Sequence, residues 1–300
     1  MVIVGGGAAG LSAALSLGRA RRRVVVLDNG QPRNRFAAHM HGVLGQEGAD
    51  PREFLARGRD EVAGYGVEVV GGAASQVETT DAGVRVTTDD GRVIEGRMLV
   101  VASGMDDVLP DIPGLAERWG TTVLHCPYCH GWEVGGQRLG VIATSPMSLH
   151  QVRLLRQWSD DLVFFAAAAG EIDADARVAL EARGIAIITA PVTGVTSRDG
   201  VLAVATDDGG STPLDAVFVA GALRPRDGFL SGLGLERTES PFGSFLTVDA
   251  AGRTSHPRVW AAGNVAEPML NVAMSVSAGA VVAATVNMAL VDEDFEAALA

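Results

Sequence analysis

Lysine is absent from this 300-residue sequence, and cysteine occurs only twice. Without lysine the chain cannot form a Schiff base, which excludes one class of covalent catalysis. The 24 basic residues are all arginine and stand against 36 acidic residues, which leaves a formal net charge of −12 at pH 7. We therefore expect no nucleic-acid partner, because nucleic-acid binding depends on basic side chains that neutralise phosphates.

Long hydrophobic runs are also missing. No uninterrupted apolar stretch reaches the roughly 18 residues of a membrane helix, so we expect no membrane partner. We expect no signal peptide either, because the sequence opens directly on a predicted strand. A cytoplasmic location follows, where a lone cysteine pair is more often catalytic than structural. Hydrophobic residues nevertheless make up 47% of the chain, enough for roughly two domain cores.

The two cysteines stand in the run His-Cys-Pro-Tyr-Cys-His at residues 125–130. A pair at this spacing is typical of thiol–disulfide exchange, and a ring this small would add little as a structural staple. A neighbouring imidazolium lowers the pKa of a thiol from about 8.5 and so favours the reactive thiolate. We predict that Cys126 and Cys129 form a redox-active pair, with His130 and His125 as candidate acid/base groups.

A zinc site built from the same four residues is the alternative interpretation, since histidine and cysteine are common zinc ligands. Within each of the pairs 125/126 and 129/130 the side chains of sequence neighbours diverge, and the chain has no second C-x-x-C. We therefore predict no metal site. Trp132 and Trp158 are expected to be packing residues.

The N-terminus carries a second motif. Val2-Ile3-Val4 predicts a buried strand, and Gly5, Gly7 and Gly10 then fall on G-x-G-x-x-G before an apolar helical stretch. In such a turn the first glycine allows the bend, the second lets a pyrophosphate approach, and the third lets the helix pack closely on the strand. A second strand, 24–27, ends at Asp28, where an acid meets a ribose hydroxyl. The order of these elements predicts a dinucleotide site.

A strand and a glycine turn recur at residues 259–265, with helical patterning from about 272 to 290, and 99–104 reads Leu-Val-Val-Ala-Ser-Gly. With the first glycine turn and the cysteine pair, these segments make the sequence resemble the thioredoxin-reductase-like flavoproteins along essentially its whole length. The resemblance implies an α/β fold of two Rossmann-like domains, each built of three layers in the order sheet, sheet, helices (ββα). An FAD-binding domain is split between 1–106 and 226–300, and a smaller inserted domain at 107–225 carries the C-x-x-C.

The resemblance also implies which residues hold FAD. They lie in the first glycine turn, after the second strand and at the ends of two later strands: Gly5, Gly7, Ala8, Ala9, Gly10, Asp28, Asn29, Gly30, Gln31, Arg33, His41, Ala102, Gly104, Gly263, Asn264, Asn271 and Val272. In the family an aspartate at the position of Asn264 holds the ribityl chain, and an amide can still hydrogen-bond there without charge.

Three short sequence segments indicate a subgroup within this family. The segments 28–34 (Asp-Asn-Gly-Gln-Pro-Arg-Asn), 39–42 (His-Met-His-Gly) and 126–133 (Cys-Pro-Tyr-Cys-His-Gly-Trp-Glu) resemble a subgroup of dithiol oxidases that close disulfides in gliotoxin and holomycin. Ordinary thioredoxin reductases carry an aspartate after the second cysteine, where this chain has His130. A histidine exchanges protons near neutral pH. His39 and His41 are each compatible with a place beside the flavin or in the substrate pocket.

The middle domain bears on the direction of electron flow. After a predicted strand at 139–143, the turn reads Thr144-Ser145-Pro146-Met147 in place of a second glycine motif, with Ser145 and Pro146 expected to open a helix. The next strand, 162–165, runs into four alanines, Gly170 and Glu171, where NADPH-dependent relatives carry arginines. Binding of NAD(P)H is therefore doubtful, although a divergent turn that still binds it stays open.

The sequence favours an FAD-dependent oxidase of a small-molecule dithiol. In the implied mechanism the substrate attacks the more exposed sulfur, on Cys126, while Cys129 lies under the flavin and passes electrons to FAD. Dioxygen is then reduced to hydrogen peroxide, and His130, with His125, carries protons. A reductase fed by NAD(P)H or ferredoxin is the alternative, and a flavin-based redox sensor without turnover is a third possibility. A homodimer is implied by the family, with the helix at 272–290 as a contributor.

Overall fold

The computed structural model describes residues 1–80, 82–198 and 200–299. The chain divides into two compact units. One combines Met1–Asp106 with Leu223–Ala300, and the other is the continuous segment Asp107–Ala222. The sequence placed the second division after residue 225, whereas the structure places it after Ala222, at the first residue of a short connecting strand.

Elements are numbered along the whole chain. The strands are β1 (Val2–Val4), β2 (Val25–Asp28), β3 (Glu68–Gly71), β4 (Ala74–Thr80), β5 (Gly83–Thr88), β6 (Val93–Gly96), β7 (Leu99–Val101), β8 (Met105–Val108), β9 (Val123–Leu124), β10 (Leu139–Ile142), β11 (Leu162–Phe165), β12 (Ala186–Ile188), β13 (Val192–Arg198), β14 (Val201–Thr206), β15 (Ser211–Leu214), β16 (Ala216–Val219), β17 (Ala222–Pro225), β18 (Arg237–Ser240), β19 (Gly243–Leu246) and β20 (Val259–Ala261). The α-helices are α1 (Ala8–Arg19), α2 (Pro51–Ala63), α3 (Pro127–His130), α4 (Ser148–Leu155), α5 (Ala174–Ala182) and α6 (Val272–Ala297), and 3-10 turns occur at Ala116–Arg118, Gly228–Leu233 and Gly263–Val265.

The discontinuous unit is built on a parallel sheet in the order β20-β7-β1-β2-β3. Strands β1, β7 and β20 consist of apolar residues that are all buried, as parallel strands covered on both faces require. Successive side chains along each strand point to opposite faces of the sheet and pack against different layers. Ile3, Val26 and Val100 pack with residues of α1, α2 and α6, whereas Val2 and its neighbours pack against the antiparallel sheet β4-β5-β6. This is the ββα three-layer arrangement that the sequence predicted.

The continuous unit repeats the plan with a sheet in the order β12-β11-β10-β16-β9. Leu139, Phe164 and Phe218 on one face pack with residues of α4 and α5. Val163 and Val217 on the other face pack with the antiparallel sheet β13-β14-β15. The carboxyl end of β10 therefore opens into the turn at residues 144–147.

Helix α6 is long and apolar on average, although the sequence has no uninterrupted apolar run of membrane length. It has 26 residues and an 18-residue window of mean hydropathy 1.7, enough by length and composition to cross a membrane. Serines and a threonine interrupt the apolar run in the sequence, but small residues keep the average high. One third of the window is buried, and α6 packs on α1 so closely that a Cβ at Gly279 would lie 2.1 Å from the carbonyl oxygen of Ala9. A helix of a protein core meets the same criteria.

Strand register brings distant segments to one edge of the first sheet. Val4 pairs with Leu27 on one side and with Val101 on the other, and Val101 pairs with Ala261. The residues that follow these strand ends therefore lie side by side. They are Gly5, Asp28, Ala102 and Ala262.

Candidate active site

The first glycine turn has the geometry of a pyrophosphate cradle. Gly5 has φ +109°, and a Cβ there would lie 2.3 Å from the carbonyl oxygen of Ala102. A Cβ on Gly10 would lie 1.8 Å from the carbonyl oxygen of Gly5. By contrast, a Cβ on Gly7 would meet no atom of the described chain within 4 Å. Because α1 begins at Ala8, its first amides, including that of Ala9, face this space and suit a phosphate.

Asp28, predicted to meet a ribose, lies beside that turn. A Cβ on Gly6 would lie 2.6 Å from the Asp28 carboxylate, so this side chain crosses directly over the turn. The Gly30 amide donates to Asp28 Oδ1 at 3.2 Å, and the Gln31 amide donates to Asn29 Oδ1 at 3.1 Å. These two hydrogen bonds close turns in the segment that follows β2.

The loop that follows fixes its own histidines. His41 Nδ1 lies 2.6 Å from Glu47 Oε1, and Glu47 also accepts from the Gly42 amide at 2.9 Å. The hydrogen bond with His41 lowers the pKa of Glu47, with the Gly42 amide as a further cause. His39 Nδ1 lies 3.0 Å from the carbonyl oxygen of Gly48. Contact of either histidine, or of Arg33 in the same loop, with a ligand stays a prediction.

Arg226 contacts two of the residues predicted to hold FAD, Gln31 and Gly104, and was not itself predicted from the sequence. Its guanidinium donates to Asp106 Oδ1 and, at 2.6 Å, to the carbonyl oxygen of Gln31. Its backbone amide donates to the carbonyl oxygen of Gly104 at 2.9 Å. The hydrogen bond from Arg226 holds the pKa of Asp106 below its usual value. The signal in the sequence was the run Arg-Pro-Arg-Asp after the last strand of the middle domain.

The amide group of Asn264 donates to backbone carbonyl oxygens, which an aspartate could not do. Its Nδ2 lies 3.1, 3.3 and 3.0 Å from the carbonyl oxygens of Glu267, Pro268 and Leu270. A carboxylate has no hydrogen to donate to these acceptors. Only Oδ1 then remains to accept from a ligand hydroxyl. Asn271, also expected at the cofactor, uses its own Oδ1 to accept from the Met274 amide at 3.0 Å and so caps α6 one residue before Val272.

Asn264→Asp is expected to weaken FAD binding about tenfold, because the carboxylate would face three carbonyl oxygens that have lost their donor. The dissociation constant of FAD, measured by flavin fluorescence on apoprotein, checks this expectation. Glu267→Gln is the matched control, since it leaves the carbonyl acceptor of residue 267 in place. An unchanged constant in Asn264→Asp would show that the loop carbonyls do not require the amide.

The cysteine pair follows β9 and is closed as a disulfide with a Cα–Cα distance of 5.2 Å. The carbonyl oxygen of Cys126 accepts from the amides of Cys129 and His130 at 3.1 and 3.2 Å, which forms the single turn of α3. Both cysteines are half-buried, so exposure does not distinguish Cys126 as the sequence reasoning assumed. Gln151, buried on α4, donates to the carbonyl oxygen of His125 at 2.8 Å and positions the start of the motif.

Two residues of the motif at 125–130 make contacts with aromatic rings. The ring centroids of Trp119 and His125 are 6.3 Å apart. Tyr128 and Trp158 make an edge-to-face contact at 5.6 Å and 90°. Trp158 packs against the core of its unit, as expected. The expectation for Trp132 was wrong, because this side chain is 86% exposed.

In the turn after β10, the polar groups of Thr144 are hydrogen-bonded within the protein. Ser148 Oγ accepts from the Thr144 amide at 3.1 Å, and Thr144 Oγ1 donates to the carbonyl oxygen of Ala220 at 2.5 Å. The Pro146 ring lies 3.6 Å from where a Cβ on Gly170 would be. Helix α4 begins at Ser148, later than expected, because residues 145–147 form turns in which Ser148 and Leu149 donate backwards. The Thr144 amide is therefore already bonded and does not point at a phosphate.

No group of three or more His, Cys, Asp or Glu side chains within residues 1–80, 82–198 and 200–299 is arranged to hold a metal ion.

Known proteins resemble the chain over nearly its full length. The "Thioredoxin reductase sirT" of Leptosphaeria maculans is 30% identical over 314 residues, which cover 99% of this chain and 95% of that protein. The crystal structure of HlmI superposes with a TM-score of 0.93 at 44% identity, covering 99% of this chain and 94% of that one. An oxidoreductase from Agrobacterium tumefaciens gives a TM-score of 0.92 at 38% identity, covering 97% of each chain.

The family model described as "Pyridine nucleotide-disulphide oxidoreductase" matches residues 1–285. The match includes both glycine turns of the discontinuous unit and the disulfide of the continuous one. The cradle at Gly7 fits FAD, the cofactor of this family. The chain belongs to the pyridine nucleotide-disulphide oxidoreductase family and is an FAD-dependent thiol/disulfide oxidoreductase.

Proposed function

We propose that the protein is a dithiol oxidase, which converts a small-molecule dithiol to a disulfide and delivers the electrons to dioxygen as hydrogen peroxide. The observation that carries the proposal is the turn at residues 144–147, whose first amide is bonded to Ser148 and whose proline ring lies 3.6 Å from where a Cβ on Gly170 would be. A nicotinamide dinucleotide needs open backbone at such a turn. With that position filled, electrons are more readily supplied by the thiol substrate itself.

The cysteine pair performs the exchange. A substrate thiolate attacks Cys126 Sγ, the disulfide breaks, and Cys129 leaves as thiolate. The second substrate thiolate then attacks the sulfur bound to Cys126, so that oxidised substrate departs and Cys126 is also reduced. Two electrons reach the enzyme and two protons are released. Bound FAD supplies the route for these electrons to dioxygen.

The histidines beside the pair carry the protons. His130 ends α3, and its amide is bonded to the carbonyl oxygen of Cys126, which keeps the residue close to the disulfide. A histidine takes a proton from a thiol and returns it near neutral pH. His125, held at its carbonyl by Gln151, is the second candidate for this role.

A reductase fed by NAD(P)H or ferredoxin is the second candidate function. It is favoured by the name of the fungal relative, a thioredoxin reductase that matches 99% of this chain. The same cysteines would serve it with electrons moving in the opposite direction. A redox sensor without turnover is disfavoured, because it would not need two histidines beside its disulfide.

One anaerobic experiment separates these functions. The FAD-loaded protein is mixed with NADPH, with reduced ferredoxin, or with a small dithiol such as dithiothreitol, and flavin absorbance is followed. Bleaching by dithiol that reverses in air, with hydrogen peroxide formed, supports the oxidase. Rapid bleaching by NADPH or ferredoxin contradicts it and supports the reductase, and no bleaching by any donor supports the sensor.

His130→Ala is expected to slow dithiol turnover by about a hundredfold or more, the usual contribution of a general acid/base. His150→Ala is the matched control, because His150 is exposed on α4. Steady-state hydrogen peroxide formation across pH measures both. If His130→Ala retains nearly full activity, proton transfer must be assigned to His125 or to solvent.

A second copy of the chain is the proposed macromolecular partner. Helix α6 exposes large apolar side chains at every seventh position, namely Met274, Val281, Met288 and Phe295. Apolar residues at heptad spacing are typical of a seam between two helices. We expect Val281→Glu/Met288→Glu to convert a dimer to monomers in analytical ultracentrifugation, whereas Val178→Glu on α5 should not. A dimer that persists in the double variant would contradict this seam.

We also propose a cytoplasmic location, because in that reducing compartment a cysteine pair is more often catalytic than structural.

A further inference from the structure

Gln151 is a buried amide next to the disulfide motif. It lies on α4 and is 8% exposed. Its Nε2 donates to the carbonyl oxygen of His125 at 2.8 Å, so the amide group lies against the peptide that joins His125 to Cys126. Its Oε1 is buried as well, and no described residue donates a hydrogen bond to that oxygen. A buried acceptor without a donor costs free energy, and such atoms are uncommon in folded proteins.

Other buried polar side chains of the same unit have partners. Ser148 lies one turn earlier on α4 and is 1% exposed, and its Oγ accepts from the Thr144 amide at 3.1 Å. Ser159, also buried, donates to the carbonyl oxygen of Gln137 at 2.5 Å. Within the described residues of the continuous unit, Gln151 Oε1 is the buried side-chain oxygen that lacks a hydrogen bond. This open acceptor lies beside the one redox-active group of the unit.

The redox state of the cysteine pair decides which donors the motif offers. The structure contains the pair as a disulfide, whose sulfur atoms carry no hydrogen. Reduction adds two electrons and two protons and converts the disulfide to two thiols. A neighbouring imidazole can take one of these protons and leave a thiolate. Reduction therefore creates a new donor at Cys126 or at His125, the two residues joined by the peptide that Gln151 holds.

We propose that Gln151 sets the redox balance of the Cys126–Cys129 pair, because its Oε1 accepts a hydrogen bond from the motif only when the pair is reduced. The donor is the thiol of Cys126 or the protonated ring of His125. A hydrogen bond gained on reduction stabilises the reduced form relative to the disulfide, so the pair accepts electrons more readily. The inference rests on the thiol/disulfide chemistry of the family and applies to an oxidase and to a reductase alike.

The test measures the equilibrium between the cysteine pair and dithiothreitol. FAD-loaded protein is equilibrated without oxygen in a series of mixtures of reduced and oxidised dithiothreitol, and its free thiols are then blocked with N-ethylmaleimide and counted by mass spectrometry. Gln151→Met nearly keeps the side-chain volume but has no oxygen. Half reduction of this variant should need a ratio of reduced to oxidised dithiothreitol about tenfold higher, the effect of one hydrogen bond. That change corresponds to a reduction potential lower by about 30 mV.

A second variant separates the acceptor from general damage to the helix. Gln151→Glu keeps an acceptor oxygen at this position and adds a negative charge, which favours a proton-bearing neighbour. Its half reduction should need no more reduced dithiothreitol than that of the unmodified protein. Damage to α4 would shift both variants in the same direction, and that result overturns the proposal. Gln151→Glu tests the proposal by itself if Gln151→Met does not fold.

Two matched controls belong to the same unit. Ser148→Ala removes a buried hydrogen bond one turn away on α4, and Gln157→Met makes the same exchange of side chains at an exposed position. Neither should change the ratio at half reduction. An unchanged ratio in Gln151→Met would mean that Oε1 has the same partner in both redox states, and it overturns the proposal. An equal change in Ser148→Ala overturns it as well.

The variant His125→Phe identifies the donor. If Gln151→Met has no further effect in the His125→Phe protein, the donor is the imidazole, and if its effect persists, the donor is the thiol of Cys126. The equilibrium involves neither dioxygen nor a nicotinamide, so its result is independent of the proposed oxidase function. Failure of that function would appear instead as a reduced flavin that air does not reoxidise with formation of hydrogen peroxide.

Discussion

Replacing either cysteine of the pair with serine is expected to lower dithiol turnover by at least about a thousandfold, since residues that act as one unit lose most of their activity together. A hydroxyl cannot form the disulfide that Cys126 and Cys129 close across their 5.2 Å Cα–Cα distance. Hydrogen peroxide formation with a dithiol substrate measures the loss. Ser231→Ala, at an exposed position of the discontinuous unit, serves as a mutagenesis control and should keep turnover near normal.

The two serine variants are expected to differ in a second measurement. If Cys126 receives the substrate, Cys129→Ser keeps a thiol that reacts rapidly with dithiodipyridine and traps a stable mixed disulfide, detectable by mass spectrometry. Cys126→Ser should react slowly and keep the long-wavelength absorbance of a thiolate lying against oxidised flavin. The reverse pattern would reassign the entry sulfur to Cys129, an outcome that the similar burial of the two residues leaves open to experiment.

Two glycines of the first turn are expected to fail in different ways when changed to alanine. Gly10→Ala places a Cβ 1.8 Å from the carbonyl oxygen of Gly5, so backbone must move. We expect a loss of about 3 kcal/mol or more and a fall in Tm of about 10 °C. Gly7→Ala meets no atom of the described chain within 4 Å, so the protein should fold normally.

Gly7→Ala should instead lose its cofactor. The new methyl group would enter the space that we predict for the pyrophosphate of FAD, and we expect the dissociation constant to rise about a hundredfold, equivalent to about 3 kcal/mol. Thermal melting of the apoprotein and fluorescence titration with FAD distinguish the two variants. Normal FAD affinity in Gly7→Ala, or a normal melting temperature in Gly10→Ala, would contradict these assignments.

The sequence predicted those parts of the site that local pattern determines. Gly5 and Gly10 make the close backbone approaches that their spacing implied, because a turn between a strand and a helix is governed by neighbouring backbone, and the approach of a pyrophosphate to Gly7 stays a prediction. The three-layer architecture followed from the resemblance to the thioredoxin-reductase-like flavoproteins. Asp28 lies at the end of β2 as predicted, and its contact with a ribose hydroxyl stays a prediction.

Contacts between distant residues could not be predicted in this way. Arg226 and Asp106 are separated by 120 positions, and neither belongs to a periodic pattern. Asn264 was expected to imitate an aspartate, whereas its donor atoms hold a loop that the sequence does not reveal. The exposure of Trp132 depends on how α3 ends, and a single tryptophan after a glycine gives no signal about which side it faces.

The close packing of α6 on α1 has a consequence for synthesis on the ribosome. The sheet that carries the flavin turn is complete only when β20 has been made, and Ala9 is covered only when Gly279 of α6 arrives. The thiol-bearing unit is continuous from Asp107 to Ala222 and needs no later residue. Because domains fold as they emerge, a nascent chain is expected to expose reactive cysteines before it can hold a flavin. Rapid closure of the Cys126–Cys129 disulfide would protect those thiols in the interval.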